Sequence, residues 1–145
     1  MDKIALSFTG VKLSPQKQVV RTFYEDLWDH ADKSLIPKIF HADFTFRGSL
    51  GPTLVGYEQF AGYVDYVTGA FDHYKTDILL LIEEGHRVSG KMRFHGTHRQ
   101  ELFGVKATGK HVWWIGMPIF TFESGKVRDL YVLGDVYGLI SRLKG

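Results

Sequence analysis

KHVWWIGMPIFTFESGKVRDLYVLGD, residues 110–135, decides the fold. Two apolar runs flank Glu123-Ser124-Gly125-Lys126, a turn with glycine where a hairpin needs a positive φ. Both runs are apolar at both parities, Trp113, Ile115, Met117 and Ile119 alternating with Val112, Trp114, Phe120 and Phe122, and Tyr131 and Leu133 with Leu130 and Val132. Strands with one wet face do not read this way, so both faces of this hairpin must be covered. Pro118 inside the run predicts a bulge or a sheet edge, and Gly116 beside it a sharp bend, both of which curl a sheet.

Working outward, Tyr74 to Glu84 and Arg87 to His98 read as two further strands around Glu83-Glu84-Gly85-His86. In Arg87 to His98 the positions Val88, Gly90, Met92, Phe94 and Gly96 are apolar or small, while Arg87, Ser89, Lys91, Arg93 and Thr97 are polar. Consecutive hairpins make an antiparallel meander. Ahead of it the period is helical. Ser14-Pro15 is an N-cap with proline at the first helical position, and Val19, Val20, Phe23, Tyr24, Leu27 and Trp28 form one stripe. Asp32 caps a shorter turn through Phe40, Asp43 to Arg47 alternates like a short strand, and Gly48 to Gly56 is a loop. Tyr57 to Phe71 predicts a second helix with Phe60, Tyr63, Val64 and Val67 on one side, and Val136 to Leu143 a closing one. Helices followed by antiparallel strands predict one α+β domain over residues 1–145, with helices over one face of the sheet. The uncovered apolar face of residues 110–135 is then expected to pack on a second copy, giving a homodimer.

Composition excludes several classes. The 18 basic and 16 acidic residues alternate instead of forming a basic face, which argues against nucleic acid, and no apolar stretch is long enough for a membrane span. With no cysteine there is no thiolate metal site, disulfide or thiol nucleophile, and a soluble, unprocessed cytoplasmic protein is the expectation. Aromatic residues make up 14% of the chain, enough to fill a core and still line a ligand pocket.

Three pieces of sequence carry a family resemblance: Gly96-Thr97-His98 followed by Phe103 to Lys110, then Ile119 to Val127, then Gly134-Asp135-Val136-Tyr137-Gly138-Leu139. In this order and spacing the chain, from Val11 to Leu143, resembles the SnoaL-like polyketide cyclases of the nuclear transport factor 2-like superfamily. The resemblance implies a cone-shaped, strongly curved antiparallel sheet closed by helices around a pocket, dimerising through its outer face. It also implies an intramolecular aldol condensation without metal or organic cofactor, with Asp135 as the acid/base. At the positions where characterised cyclases offer that aspartate a glutamine and a histidine, this chain has Ile119 and Thr121.

The candidate residues follow from this frame. Asp135 continues the strand parity of Tyr131 and Leu133, so a desolvated carboxylate with a raised pKa is one expectation and a helix N-cap the other. Tyr24 is placed to donate to an oxyanion or to fill core, Arg47 to clamp a carboxylate or end a strand in solvent, and His98 to meet a ligand or serve structure. Trp113, Met117 and Tyr131 are expected as apolar pocket walls and Thr121 as a polar contact. His95 and His98 lie on opposite faces of one strand and cannot share a metal. A small hydrophobic or polycyclic ligand with no cofactor is the predicted partner; the rival reading is a binding module without catalysis, and a related hydroxylase, isomerase or epoxide hydrolase completes the alternatives.

Overall fold

In a computed structural model describing residues 5–145, Ser14 Oγ accepts the Lys17 amide at 3.2 Å and α1 (Pro15–Thr22) starts where the sequence places it. The first four residues, part of the N-terminal stretch read as unprocessed, lie outside the described residues. The helix does not continue with α-helical pitch. Over Phe23–Trp28 it widens into a π-helix, and Asp29 donates its amide to the Tyr24 carbonyl at 3.1 Å. Asp32 caps a 3₁₀ turn (Lys33–Leu35) that leads into the short α2 (Ile36–Ile39).

The strands are β1 (Phe40–Arg47), β2 (Thr53–Val55), β3 (Phe71–Glu84), β4 (Arg87–His98), β5 (His111–Glu123) and β6 (Lys126–Gly134), with α3 (Gly56–Ala70) after β2 and α4 (Val136–Lys144) last. Their order in the sheet is β2-β1-β6-β5-β4-β3. From β3 to β6 the meander is antiparallel, as the hairpin turns require. The all-antiparallel expectation is corrected at β1, which runs parallel to β6 and makes the sheet mixed. Parallel neighbours need a long crossover, and the stretch from α3 through β5 supplies it.

Pro118 sits in an interior strand with no register shift beside it, contrary to the expected bulge or edge. The β4–β5 ladder skips Gly90 and Lys91, opposite Pro118 and Met117, and resumes in the same register. Proline has no amide to donate, and Ser89 Oγ instead binds the Pro118 carbonyl at 2.7 Å.

Helices close over the concave face, and aromatic rings fill it. Phe23 packs edge-on to Phe40, Tyr24 and Phe120, and Phe40 stacks on Phe44 at 3.9 Å. The inward parity of the last two long strands is Val112, Trp114, Phe120 and Phe122 with Leu130 and Val132, all buried. The outward parity is Trp113, Met117 and Ile119 with Tyr131 and Leu133, all exposed. Inward glycines let the sheet bend this tightly. A Cβ at Gly116 would stand 2.5 Å from the Phe94 ring, and one at Gly134 would stand 2.2 Å from the Ser49 carbonyl oxygen. Backbone cannot yield as a flexible side-chain tip does, so Gly134→Ala is expected to cost about 1–3 kcal/mol, read as a lowered denaturation midpoint with unchanged m-value.

Candidate functional site

At the centre of the cone the π-helix and α3 face β3 and β4 across a cavity of about 20 Å³, room for about one water molecule. Its walls are apolar, including Phe23, Trp28 and Phe94, with the polar groups of Tyr24, Ser49, Tyr63 and Tyr74 among them. Ser49 is fixed by the Trp114 indole, which donates to its Oγ at 3.2 Å, and the Tyr63 hydroxyl accepts the Leu50 amide at 3.2 Å. Gly48 is needed for that approach, since a Cβ there would lie 2.5 Å from the Tyr63 ring. Tyr24 is different: it is 1% exposed and its hydroxyl has no partner among the described residues. Burial and the neighbouring Tyr63 push its phenol well above the usual range, so it stays protonated and available as a donor.

Two of these tyrosines separate the small cavity from larger clefts. Tyr63 also lines a cleft of about 300 Å³ with Leu50, Leu54, Tyr66 and Phe103. Tyr74 also lines one of about 410 Å³, whose other walls are Glu25, Asp29, His30, His73 and Lys75. Movement of either ring would join the central space to a cleft large enough for a small organic molecule. In the second cleft Asp29 Oδ1 accepts the Thr76 amide at 2.8 Å, and the Asp29 carboxylate closes no other hydrogen bond among the described residues. Burial, opposed by the Thr76 amide and Lys75, pushes this carboxyl up to about 6. The Thr76 hydroxyl, itself buried, closes no hydrogen bond within 3.5 Å among the described residues.

Of the eight residues singled out from sequence, Tyr24 alone lines the central cavity. Trp113, Met117, Thr121 and Tyr131 lie on the outer face of the sheet, Met117 51% exposed, which corrects the expectation that they wall the pocket. Both parities of those strands are apolar, so alternation alone could not tell inside from outside. Arg47 points the same way, donating to the Val132 carbonyl at 2.7 Å and lying over the Tyr131 ring. His98 is fully buried but outside the cavity, its Nδ1 accepting the Thr108 amide at 3.1 Å, which leaves the proton on Nε2. Asp135 is exposed and caps α4, accepting the Gly138 amide at 2.9 Å. The strand ends one residue earlier, at Gly134, and the backbone turns the carboxylate back onto its own helix.

Asp29, Tyr74 and Thr76 were not singled out from the sequence. Asp29 follows Tyr24 by five residues, and the π-helical turn between them, closed by the Asp29 amide on the Tyr24 carbonyl, departs from the α-helical period. Tyr74 stood only as the start of a strand.

A model of the family described as SnoaL-like polyketide cyclase matches residues 18–143. The fold is similar to that of a candidate SnoaL-like polyketide cyclase from Jannaschia sp. CCS1, with TM-score 0.81, 16% identity, and 90% of this chain and 92% of that one covered. It is similar also to AclR, a candidate hydroxylase from Streptomyces galilaeus, with TM-score 0.78, 22% identity and coverage of 92% and 87%. A protein from Catenulispora acidiphila with a ketosteroid isomerase-like fold aligns with TM-score 0.75, 12% identity and coverage of 88% and 92%. No curated protein matches the sequence.

The capping geometry of Asp135 sets the expected behaviour of its variants. Asparagine caps about as well as aspartate, so Asp135→Asn should leave the urea midpoint nearly unchanged, whereas Asp135→Ala should lose about 1 kcal/mol. Equal, large losses in both would mean the carboxylate does more than cap.

Proposed function

This chain belongs to the SnoaL-like polyketide cyclase family, and from that premise we propose that it binds a small hydrophobic or polycyclic compound in its cone and acts on it by cofactor-independent acid/base chemistry of the intramolecular aldol type. The observation that carries this reading is the Tyr24 hydroxyl, buried without a partner among the described residues against a mostly apolar cavity. A buried donor left unpaired costs free energy, and a ligand carbonyl or enolate oxygen would remove that cost. In an aldol closure negative charge develops on such an oxygen, and a fixed phenol in a water-poor site stabilises it. Tyr63 and Tyr74 supply further hydroxyls, and displacement of either ring admits the apolar body of the ligand from an adjoining cleft.

A binding module without catalysis is the second reading. The small central cavity of about 20 Å³ and the capping role of Asp135 favour it. The cysteine-free chain fits a reducing cytoplasm.

Assembly as a homodimer through the outer sheet face belongs to the same proposal. Trp113, Met117, Ile119, Tyr131 and Leu133 are exposed there on adjacent strands, beside an ionic cluster in which Asp77 meets Arg93 at 2.8 Å and His95 at 3.1 Å. An apolar patch with a charged border is the usual anatomy of an interface.

Two outcomes are expected. Native mass spectrometry of the purified protein should identify a retained compound; Tyr24→Phe should keep the fold and melting temperature yet weaken binding or turnover of that compound about tenfold. Unchanged affinity and rate would remove Tyr24 from the site. Sedimentation should give a dimer at micromolar concentration and a monomer for Met117→Lys, because an ammonium group cannot enter a dry interface unpaired; a wild-type monomer would contradict the assembly.

A further inference from the structure

We propose that Asp29 is the proton-abstracting base of this protein, working in the cleft it shares with Tyr74 on a carbonyl compound whose apolar rings pass Tyr74 towards the cone. The inference rests on the reading of the cone as a ligand site and adds the group that moves the proton.

Two backbone irregularities converge on this cleft. On one side the π-helix ends at Trp28, where the Asp29 amide returns to the Tyr24 carbonyl, and Asp29 lines the cleft. On the other, β3 breaks register with β4 between Asp72 and Lys75, and His73 takes a φ of 57°, unusual for a residue with a side chain. Insertions of this kind re-aim a side chain at the expense of regular pairing. The residue re-aimed is Tyr74, whose ring lies 5.6 Å from that of Trp28 and forms a wall common to cleft and cavity. Just past the bulge, Thr76 holds one Asp29 oxygen through its amide, while its hydroxyl, on a residue 2% exposed, lies between Asp29 and Tyr74 and closes no hydrogen bond within 3.5 Å among the described residues. The second Asp29 oxygen closes no hydrogen bond within 3.5 Å among the described residues, and the Thr76 hydroxyl beside the carboxylate still favours its ionised form. A carboxylate anchored through one oxygen and free at the other is oriented as a base must be.

The surroundings set its basicity. Burial raises the Asp29 pKa, the Thr76 amide, Lys75 and the Thr76 hydroxyl lower it, and Glu25 raises it again, leaving it at about 6. His30 and His73 are exposed at the cleft mouth, and Glu25 is half-buried. Burial, with the Asp29 charge beside it, drives the Tyr74 phenol well above its usual range, so it donates a hydrogen bond without ionising. The step balances with these groups. The C–H bond beside the carbonyl breaks, its proton goes to the free Asp29 oxygen, and the electron pair forms an enolate that accepts a hydrogen bond from Tyr74. The enolate carbon then bonds to a second carbonyl carbon of the same molecule, and the resulting alkoxide recovers the proton from Asp29.

Nitrobenzisoxazole tests the base without knowledge of the natural substrate. Removal of its ring proton breaks the N–O bond and releases a coloured cyanonitrophenolate. The wild type should accelerate this opening with a rate that rises with pH through about 6, the Asp29 value. Asp29→Asn should lose at least about tenfold, together with the inflection, and Tyr74→Phe should be slower with the inflection kept. Asp26→Asn, an exposed acid on the same turn, should match the wild type. Asp29→Asn should stay folded, because its carbonyl still accepts the Thr76 amide. Since the folded-state pKa is raised, the carboxylate destabilises the native state as pH rises through about 6, so the variant should melt above the wild type at pH 8 and level with it in acid. A wild type no faster than free acetate, or an Asp29→Asn variant with full rate and inflection, overturns the proposal. Quenching of tryptophan fluorescence by naphthol separates the two readings. Naphthol binding with Asp29-independent opening removes the base and leaves the cone, whereas Asp29-dependent opening without naphthol binding keeps the base and removes the cone.

Discussion

The structure depends on how sharply its sheet can bend, and that is set by the inward positions where no side chain fits. At Gly90, Gly116 and Gly134 an added Cβ would strike the Leu80 carbonyl, the Phe94 ring or the Ser49 carbonyl. With those positions empty, the concave face closes tightly enough for α1, its π-helical extension and α3 to fill it with rings. Aromatic pairs meeting edge to face, such as Phe23 with Phe120 and Trp28 with Tyr63, add directional preference to area burial. The cone is therefore a packed core first, and its free space is the remainder.

What remains is distributed in a way that suits chemistry. A pocket wide open to water would solvate any carboxylate inside it, and a fully sealed one would admit no ligand. Here the central space is nearly filled, and Tyr63 and Tyr74 each stand between it and a cleft. Burial keeps both phenols protonated, pushing Tyr63 up to about 12 and Tyr74 well above its usual range. The walls that would move to admit a ligand are thus also hydrogen-bond donors to it.

Much of the fold was legible because its signals are local. Turn glycines fixed the hairpins at Gly85 and Gly125, and Ser14-Pro15 fixed the start of α1. The parallel pairing of β1 with β6 was not legible, since it joins segments separated by most of the chain and leaves no periodic trace. The site was legible only at Tyr24. Trp113, Met117, Thr121 and Tyr131 were assigned inward because β5 and β6 are apolar at both parities; the parity that carries Gly116 and Gly134 was the available cue, because a tightly curved sheet needs its missing side chains on the concave face. Asp135 satisfied two patterns at once, strand end and helix cap, and backbone geometry decided for the cap. Asp29 was invisible because an α-helical period was assumed where the chain adopts a π-helix.

The central claim is that a ligand enters the cone beside Tyr74 and ends with a polar atom at Tyr24. A crystal structure of the protein with bromonaphthol tests it most directly, the anomalous signal of bromine marking the ring position. The account predicts bromine between Trp28 and Tyr74, the naphthol oxygen within hydrogen-bond distance of the Tyr24 hydroxyl, and the Tyr74 ring displaced from its present position. Bromine found only on the outer sheet face, with the central rings unmoved, would contradict it.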